Sequence, residues 1–118
     1  MQKEVAWVSS ARKDLSHFPD PVKDEVGYTL HRVQEGKSPL NVKRMQGLGA
    51  GVMEIISDYD TNTYRAVYVL NLNEKIYVLH CFQKKSKRGN ETLKEEIEVI
   101  KQRMKWLKST LCQKKGAI

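Results

Sequence analysis

The stretch that decides the fold runs from Val52 to Gln83. It opens with Val52-Met53-Glu54-Ile55-Ile56-Ser57, and Asp58, Asp60 and Asn62 then supply a turn. Thr63-Tyr64-Arg65-Ala66-Val67-Tyr68-Val69-Leu70 follows, rich in β-branched and aromatic residues, and Asn71 to Glu74 forms a second turn. Lys75-Ile76-Tyr77-Val78-Leu79-His80-Cys81-Phe82-Gln83 completes the set. Short polar turns between β-rich runs predict an antiparallel meander. Ile76 to Phe82 is almost continuously apolar, so the third strand is expected at the sheet centre, covered on both faces.

Upstream, Glu4-Val5-Ala6-Trp7-Val8 alternates as a strand. Ser9 or Ser10 can cap a short helix through Leu15 to Phe18, ended by Pro19. Asp20 is read as the N-cap of a second helix, with Pro21 in its first turn. Val22, Val26, Leu30 and Val33 form that helix's apolar stripe, and Gly36 stops it. Residues 36–51 read as irregular; the Gly47-Leu48-Gly49-Ala50-Gly51 run lacks a nucleotide-loop pattern. Downstream, Thr92 to Glu95 reads as a capping box. Leu93, Ile97, Ile100, Met104, Leu107 and Leu111 make a strong helical stripe, with Lys94, Lys101, Arg103, Lys105 and Lys108 on the polar face. The expected order is β-α-α-β-β-β-α: an α+β fold, a small antiparallel sheet packed against helices, in one domain over residues 1–118.

Charge is distributed unevenly. The chain carries 21 Lys and Arg against 14 Asp and Glu, a formal charge of +7. Residues 1–82 hold ten of each sign, while residues 83–118 hold eleven basic and four acidic groups. A basic excess confined to one stretch fits a polyanionic partner, most simply nucleic acid. No run of about 18 apolar residues suggests a membrane span, and the N-terminus lacks signal-peptide features, so a cytoplasmic location is expected. Cys81 and Cys112 form no CxxC or Cys/His cluster, and His17, His31 and His80 make no H-x-x-x-H, so neither a metal site nor a cofactor is expected. Hydrolase signatures such as G-x-S-x-G are absent.

What remains is cationic. Arg65 sits inside an apolar strand, where its guanidinium must snorkel, face a polar cleft, or pair, with Glu54 across the sheet as the structural partner. The last strand runs into Lys84-Lys85-Ser86-Lys87-Arg88, either a solvated loop or a phosphate site. His80 is a candidate acid or base, or a strand histidine that alternation places with Val78 and Phe82. Tyr64, Tyr68 and Phe82 can stack a base or pack the core. Lys43 and Arg44 are solvated charges or phosphate contacts.

The Tyr64-Arg65-Ala66-Val67-Tyr68 strand, the strand ending Phe82-Gln83-Lys84-Lys85, the Leu48 to Ile55 approach and the element order together resemble the RelE/HigB superfamily of type II toxins. The likeness is to its phage-derived HigB-like branch and covers roughly residues 5–108. It implies an endoribonuclease that cleaves messenger RNA, often on the ribosome, and a small antitoxin partner of helix-turn-helix type. It assigns catalysis to Arg65 and to Lys84 or Lys85. By residue type, His80 is a further catalytic candidate, and Lys43, Arg44, Tyr68, Phe82, Lys87 and Arg88 are the candidates to hold RNA. Two family features are missing: Glu54-Ile55-Ile56-Ser57 carries no basic residue, and no tyrosine follows the basic loop. Such chemistry needs no metal, because the RNA 2′-OH is the nucleophile and arginine and lysine stabilise the transition-state charge. The alternative is a basic module that binds nucleic acid or a partner without catalysis.

Overall fold

A computed structural model describes residues 3–72, 74–84 and 94–116. The elements are β1 (Glu4–Trp7), α1 (Ala11–Ser16), α2 (Asp20–Gln34), β2 (Val42–Arg44), β3 (Val52–Tyr59), β4 (Asn62–Leu72), β5 (Lys75–Lys84) and α3 (Lys94–Gly116). One five-stranded sheet runs in the order β1-β5-β4-β3-β2. The expected meander is β3-β4-β5, antiparallel throughout. Two features go beyond it. β1 lies parallel to β5, with Val5 opposite Ile76, so the sheet is mixed. Val42 to Arg44, within the stretch read as irregular, pairs with Met53 to Ile55; three residues are too few to show a period of two. The sheet centre, expected of β5, falls to β4; β5 is the neighbouring interior strand, with β1 on its other side.

Each face of the sheet packs its own core. On one, Val22, Val26, Leu30 and Val33 of α2 and Ala11 of α1 meet Ile55, Ala66, Tyr68, Ile76 and Val78. On the other, Ile100, Met104 and Leu107 of α3 meet Val52, Val67, Val69, Tyr77 and Leu79. The stripes predicted for α2 and α3 are therefore the buried faces, except that Leu93, like the Thr92 cap, lies outside the described residues.

Helix ends differ slightly from expectation. Pro19, not Asp20, is the N-cap of α2; Asp20 and Pro21 occupy its first turn, and Asp20 pairs with Lys23 at 3.0 Å. At the other end Gly36 takes φ +84°. Its N–H donates to the Val33 carbonyl and that of Lys37 to the Arg32 carbonyl, the paired bonds of a Schellman stop. Ser10 caps α1 by position, but its hydroxyl donates to Asp14 rather than accepting a helix N–H.

The alternation of β5 breaks once. Val67 opposes His80 while Tyr68 opposes Val78, so Leu79 is the extra residue of a bulge. Leu79 and His80 consequently both face α3.

Candidate nucleic-acid site on the sheet

The register lays out the α3 face of the sheet in rows. Lys43, Glu54, Val67 and His80 form one row, Ile56, Arg65 and Phe82 the next, and Asp58, Thr63 and Lys84 the third. Residues opposite one another share a face, so these side chains belong to a single surface. Arg65 opposes Phe82, which makes Lys84 its diagonal neighbour, with about 7–8 Å between backbones. The structure thus brings Arg65, Lys84, His80, Phe82 and Lys43 to one side. It sends Tyr68 and Arg44 to the other.

Arg65 is only 2% exposed and is held by Glu54, Nη1 donating to Oε1 at 2.7 Å. The pair is incomplete: Glu54 Oε2 and Arg65 Nε are buried without a hydrogen-bond partner among the described residues. The cross-sheet pairing considered for Arg65 is therefore what forms, and in this state the guanidinium lies beneath the surface. Lys84 is also buried, at 9% exposure, and already engaged in an interaction of its own.

His80 is buried between α3 and the sheet. Its Nε2 meets Glu96 Oε2 at 2.9 Å, and its Nδ1 faces Arg103 Nη1 at 3.3 Å. An arginine N–H only donates, so Nδ1 accepts and the proton sits on Nε2, donated to Glu96. Burial lowers the His80 pKa below the ordinary histidine value; Glu96 opposes that shift and Arg103 adds to it. A neutral, doubly bonded imidazole results. Arg103, read as part of the polar face of α3, turns inward: it also donates to the Leu79 carbonyl at 2.8 Å and the Ser10 hydroxyl at 3.0 Å. Ser10 passes the chain on to Asp14 at 2.8 Å. Beside this network a cleft of ≈ 400 Å³ is lined by Asp14, His17, Phe18, His80, Gln83 and Glu96, among others.

Several expected roles are corrected here. Tyr68 lies in the α2 core, where burial pushes its phenol up to about 12, and it cannot stack a base. Tyr64 packs on Phe18 with ring centroids 4.9 Å apart. Phe82 is buried and stacked on His80 at 4.9 Å, so it too is core. His80 groups with Phe82 but not with Val78, because of the bulge. Lys43 and Arg44 are exposed, as loop charges would be, but they sit on a strand and point to opposite sides. Lys85, Lys87 and Arg88 lie outside the described residues. The Cys81 thiol is buried and pushed up to about 12, an inert group. Among the described residues no three His, Cys, Asp or Glu side chains converge so as to hold a metal ion, and no helix is long and apolar enough to cross a membrane.

Residues 13–105 match the family model of phage-derived proteins described as Gp49-like. The chain belongs to that family. It is a family of RelE/HigB-type toxins, and the fold of this Gp49-like chain agrees. The structure is similar to a double arginine-to-alanine mutant of E. coli toxin RelE in the free state, with a TM-score of 0.60 and 17% identity, covering 83% of this chain and 97% of that one. It is also similar to a chain of the toxin-antitoxin complex RelBE2 from Mycobacterium tuberculosis, with a TM-score of 0.50 and 19% identity, covering 69% and 96% of the two chains. No curated protein sequence matches the chain.

Proposed function

We propose that the Gp49-like chain is a toxin endoribonuclease that cleaves messenger RNA without a metal ion, the ribosome being where it meets the messenger in the cell and not a requirement of the chemistry. The observation carrying this reading is the placement of Arg65 and Lys84 as diagonal neighbours on one sheet face, directly before the basic run of Lys85, Lys87 and Arg88. In the reaction the RNA 2′-oxygen attacks the adjacent phosphorus, the bond to the 5′-oxygen breaks, and a 2′,3′-cyclic phosphate remains. Arginine suits the non-bridging oxygens because its planar fork binds two of them. To reach Arg65 the phosphate replaces Glu54, one anion for another, so the guanidinium is never left unpaired. Lys84 or Lys85 then meets the charge that develops in the transition state. The partner is an antitoxin, a reading supported by the RelBE2 likeness, and we take it to be a small helix-turn-helix protein.

Purified protein is expected to cut RNA in EDTA, on a substrate whose own fold needs no magnesium, leaving cyclic or 3′-phosphate ends. Cleavage lost in EDTA and regained with magnesium would overturn the mechanism. The buried Arg65–Glu54 pair favours one other reading, a non-catalytic module that binds nucleic acid or a partner. Induced expression separates the two: growth arrest accompanied by cut transcripts supports the nuclease, and normal growth supports the module.

A further inference from the structure

The exposed lysines of α3 are not scattered. Lys94, Lys101, Lys105 and Lys108 step by seven, four and three residues, all exposed, so at about 100° per residue they share one flank of the helix. The opposite flank is accounted for: Val99, Arg103 and Trp106 line a cleft of ≈ 590 Å³ with Val8 and Ser9. The lysine flank therefore turns the other way, across the sheet toward β3 and β2. Lys108 Nζ fixes that direction, lying 3.5 Å from where a Cβ on Gly49 would stand, at the loop before β3. Lys43, exposed on β2, rises from the same sheet face. The Arg65 row is the next one along that face from the row of Lys43 and Glu54.

Like charges at i,i+3 and i,i+4 destabilise a helix. Here Lys101, Lys105 and Lys108 repel in that manner, and the one carboxylate beside them, Glu98, is 3.9 Å from Lys101 with both side chains 54% exposed. A row of three lysines with one exposed carboxylate beside it is what an extended polyanion neutralises.

We infer that Lys101, Lys105 and Lys108 of α3, with Lys43 of β2 on the same side of the sheet, form a track that holds the RNA backbone flanking the phosphate at Arg65. This rests on the RNA-directed reading above and names the surface that binds the strand.

The test uses the whole chain and a labelled 2′-O-methyl oligouridylate, which has no 2′-OH and cannot be cleaved. Each single-strand phosphate contact contributes about −0.7 to the slope of log affinity against log salt. Lys101→Gln/Lys105→Gln/Lys108→Gln should flatten that slope by about 2 and weaken binding about a hundredfold near 0.1 M salt. It should melt no lower than the parent. Arg12→Gln/Lys13→Gln/Lys37→Gln removes the same charge from exposed positions on the other side of the sheet and should leave the slope nearly unchanged. An equal loss in both variants would mean that only net charge matters and would overturn the track. So would parent-like binding by the α3 variant, or weakened association with an acidic partner protein while RNA binding stays intact. If the oligouridylate binds with the expected slopes but no RNA is ever cut, the nuclease reading fails and the track stands.

Discussion

Removing either member of the Glu54–Arg65 pair strands a buried charge. Arg65 is 2% exposed and Glu54 7%. Truncating one partner of such a pair costs roughly 3–5 kcal/mol. At about 4 °C per kcal/mol for a domain of this size, Arg65→Ala or Glu54→Leu should each lower Tm by about 12–20 °C. The pair itself is far from ideal, because one carboxylate oxygen and Nε find no partner among the described residues, and each such group costs about 1–3 kcal/mol. The double variant Glu54→Leu/Arg65→Met removes both charges and both orphaned atoms. It should recover most of the loss, ending between parent-like and about 4 kcal/mol more stable. Thermal melts of the parent, both singles and the double give the coupling directly. A single variant that melts within about 2 °C of the parent, or a double that melts as low as the singles, refutes the energetic role assigned to the pair. The same double variant then tests catalysis without the complication of unfolding. It should bind RNA through the α3 lysines yet cut none, and a folded double that still cleaves removes Arg65 from the reaction.

Three further outcomes follow from the geometry. The His80 pKa is lowered in the folded chain, so as pH falls through about 6.5 the unfolded chain takes up the proton first and stability declines. Above that range stability should be flat with respect to this group. Urea melts at several pH values should show the acid-side decline in the parent and a smaller one in His80→Gln, and an increase in stability on acidification would contradict the assignment. In the basic segment, Lys85→Ala should lower the maximal cleavage rate, whereas Lys87→Ala/Arg88→Ala should weaken binding with the rate at saturation preserved; rate recovery by Lys85→Ala at saturating enzyme would reduce Lys85 to a binding contact. Finally, Gly51 holds φ +80° with its Cβ position 2.8 Å from the Leu70 carbonyl oxygen, while Gly36 at φ +84° has open space around it. Gly36→Ala should cost about 1–2 kcal/mol from backbone strain alone. Gly51→Ala should cost more, and equal losses by chemical denaturation would show that the contact with Leu70 is relieved cheaply.

The sequence was most legible where burial is periodic. Val22, Val26, Leu30 and Val33, and likewise Ile100, Met104 and Leu107, cover the sheet as their spacing requires, because a helix with one apolar stripe has one way to bury it. The meander was legible for a similar reason, its turns being marked by Asp58 to Asn62 and Asn71 to Glu74. β2 was not: Val42 to Arg44 is too short for alternation, and its pairing depends on what β3 offers. The site was half legible. Arg65 announced itself as a charge in an apolar strand, and Glu54 was the natural counter-charge. Whether the pair forms is decided by geometry across two strands, since Glu54 opposes Val67 and reaches Arg65 only on the diagonal. Arg103 gave no such signal. Among the lysines of α3 it looks like one more solvated cation, and only its position opposite Ser10 and Leu79 turns it inward.

His80 shows where period-two reasoning stops. Strict alternation would put it beside Val78, in the core built by α1 and α2, where an imidazole would need a partner from an apolar helix face. The bulge at Leu79 adds one residue to β5 and rotates His80 onto the α3 side. That single insertion explains three observations together: His80 stacks on Phe82, meets Glu96, and accepts from Arg103. A bulge is a count of two residues against one, a property of a strand pair. Neither strand records it alone, because Leu79 and Val78 are both apolar and either fits a buried strand position. Its consequence is that α3 is seated by directed polar bonds as well as by its apolar stripe. The stripe permits sliding along the sheet; the Arg103–Leu79, Arg103–Ser10 and His80–Glu96 bonds do not. The register of α3 is thereby fixed, and with it the flank on which Lys101, Lys105 and Lys108 stand.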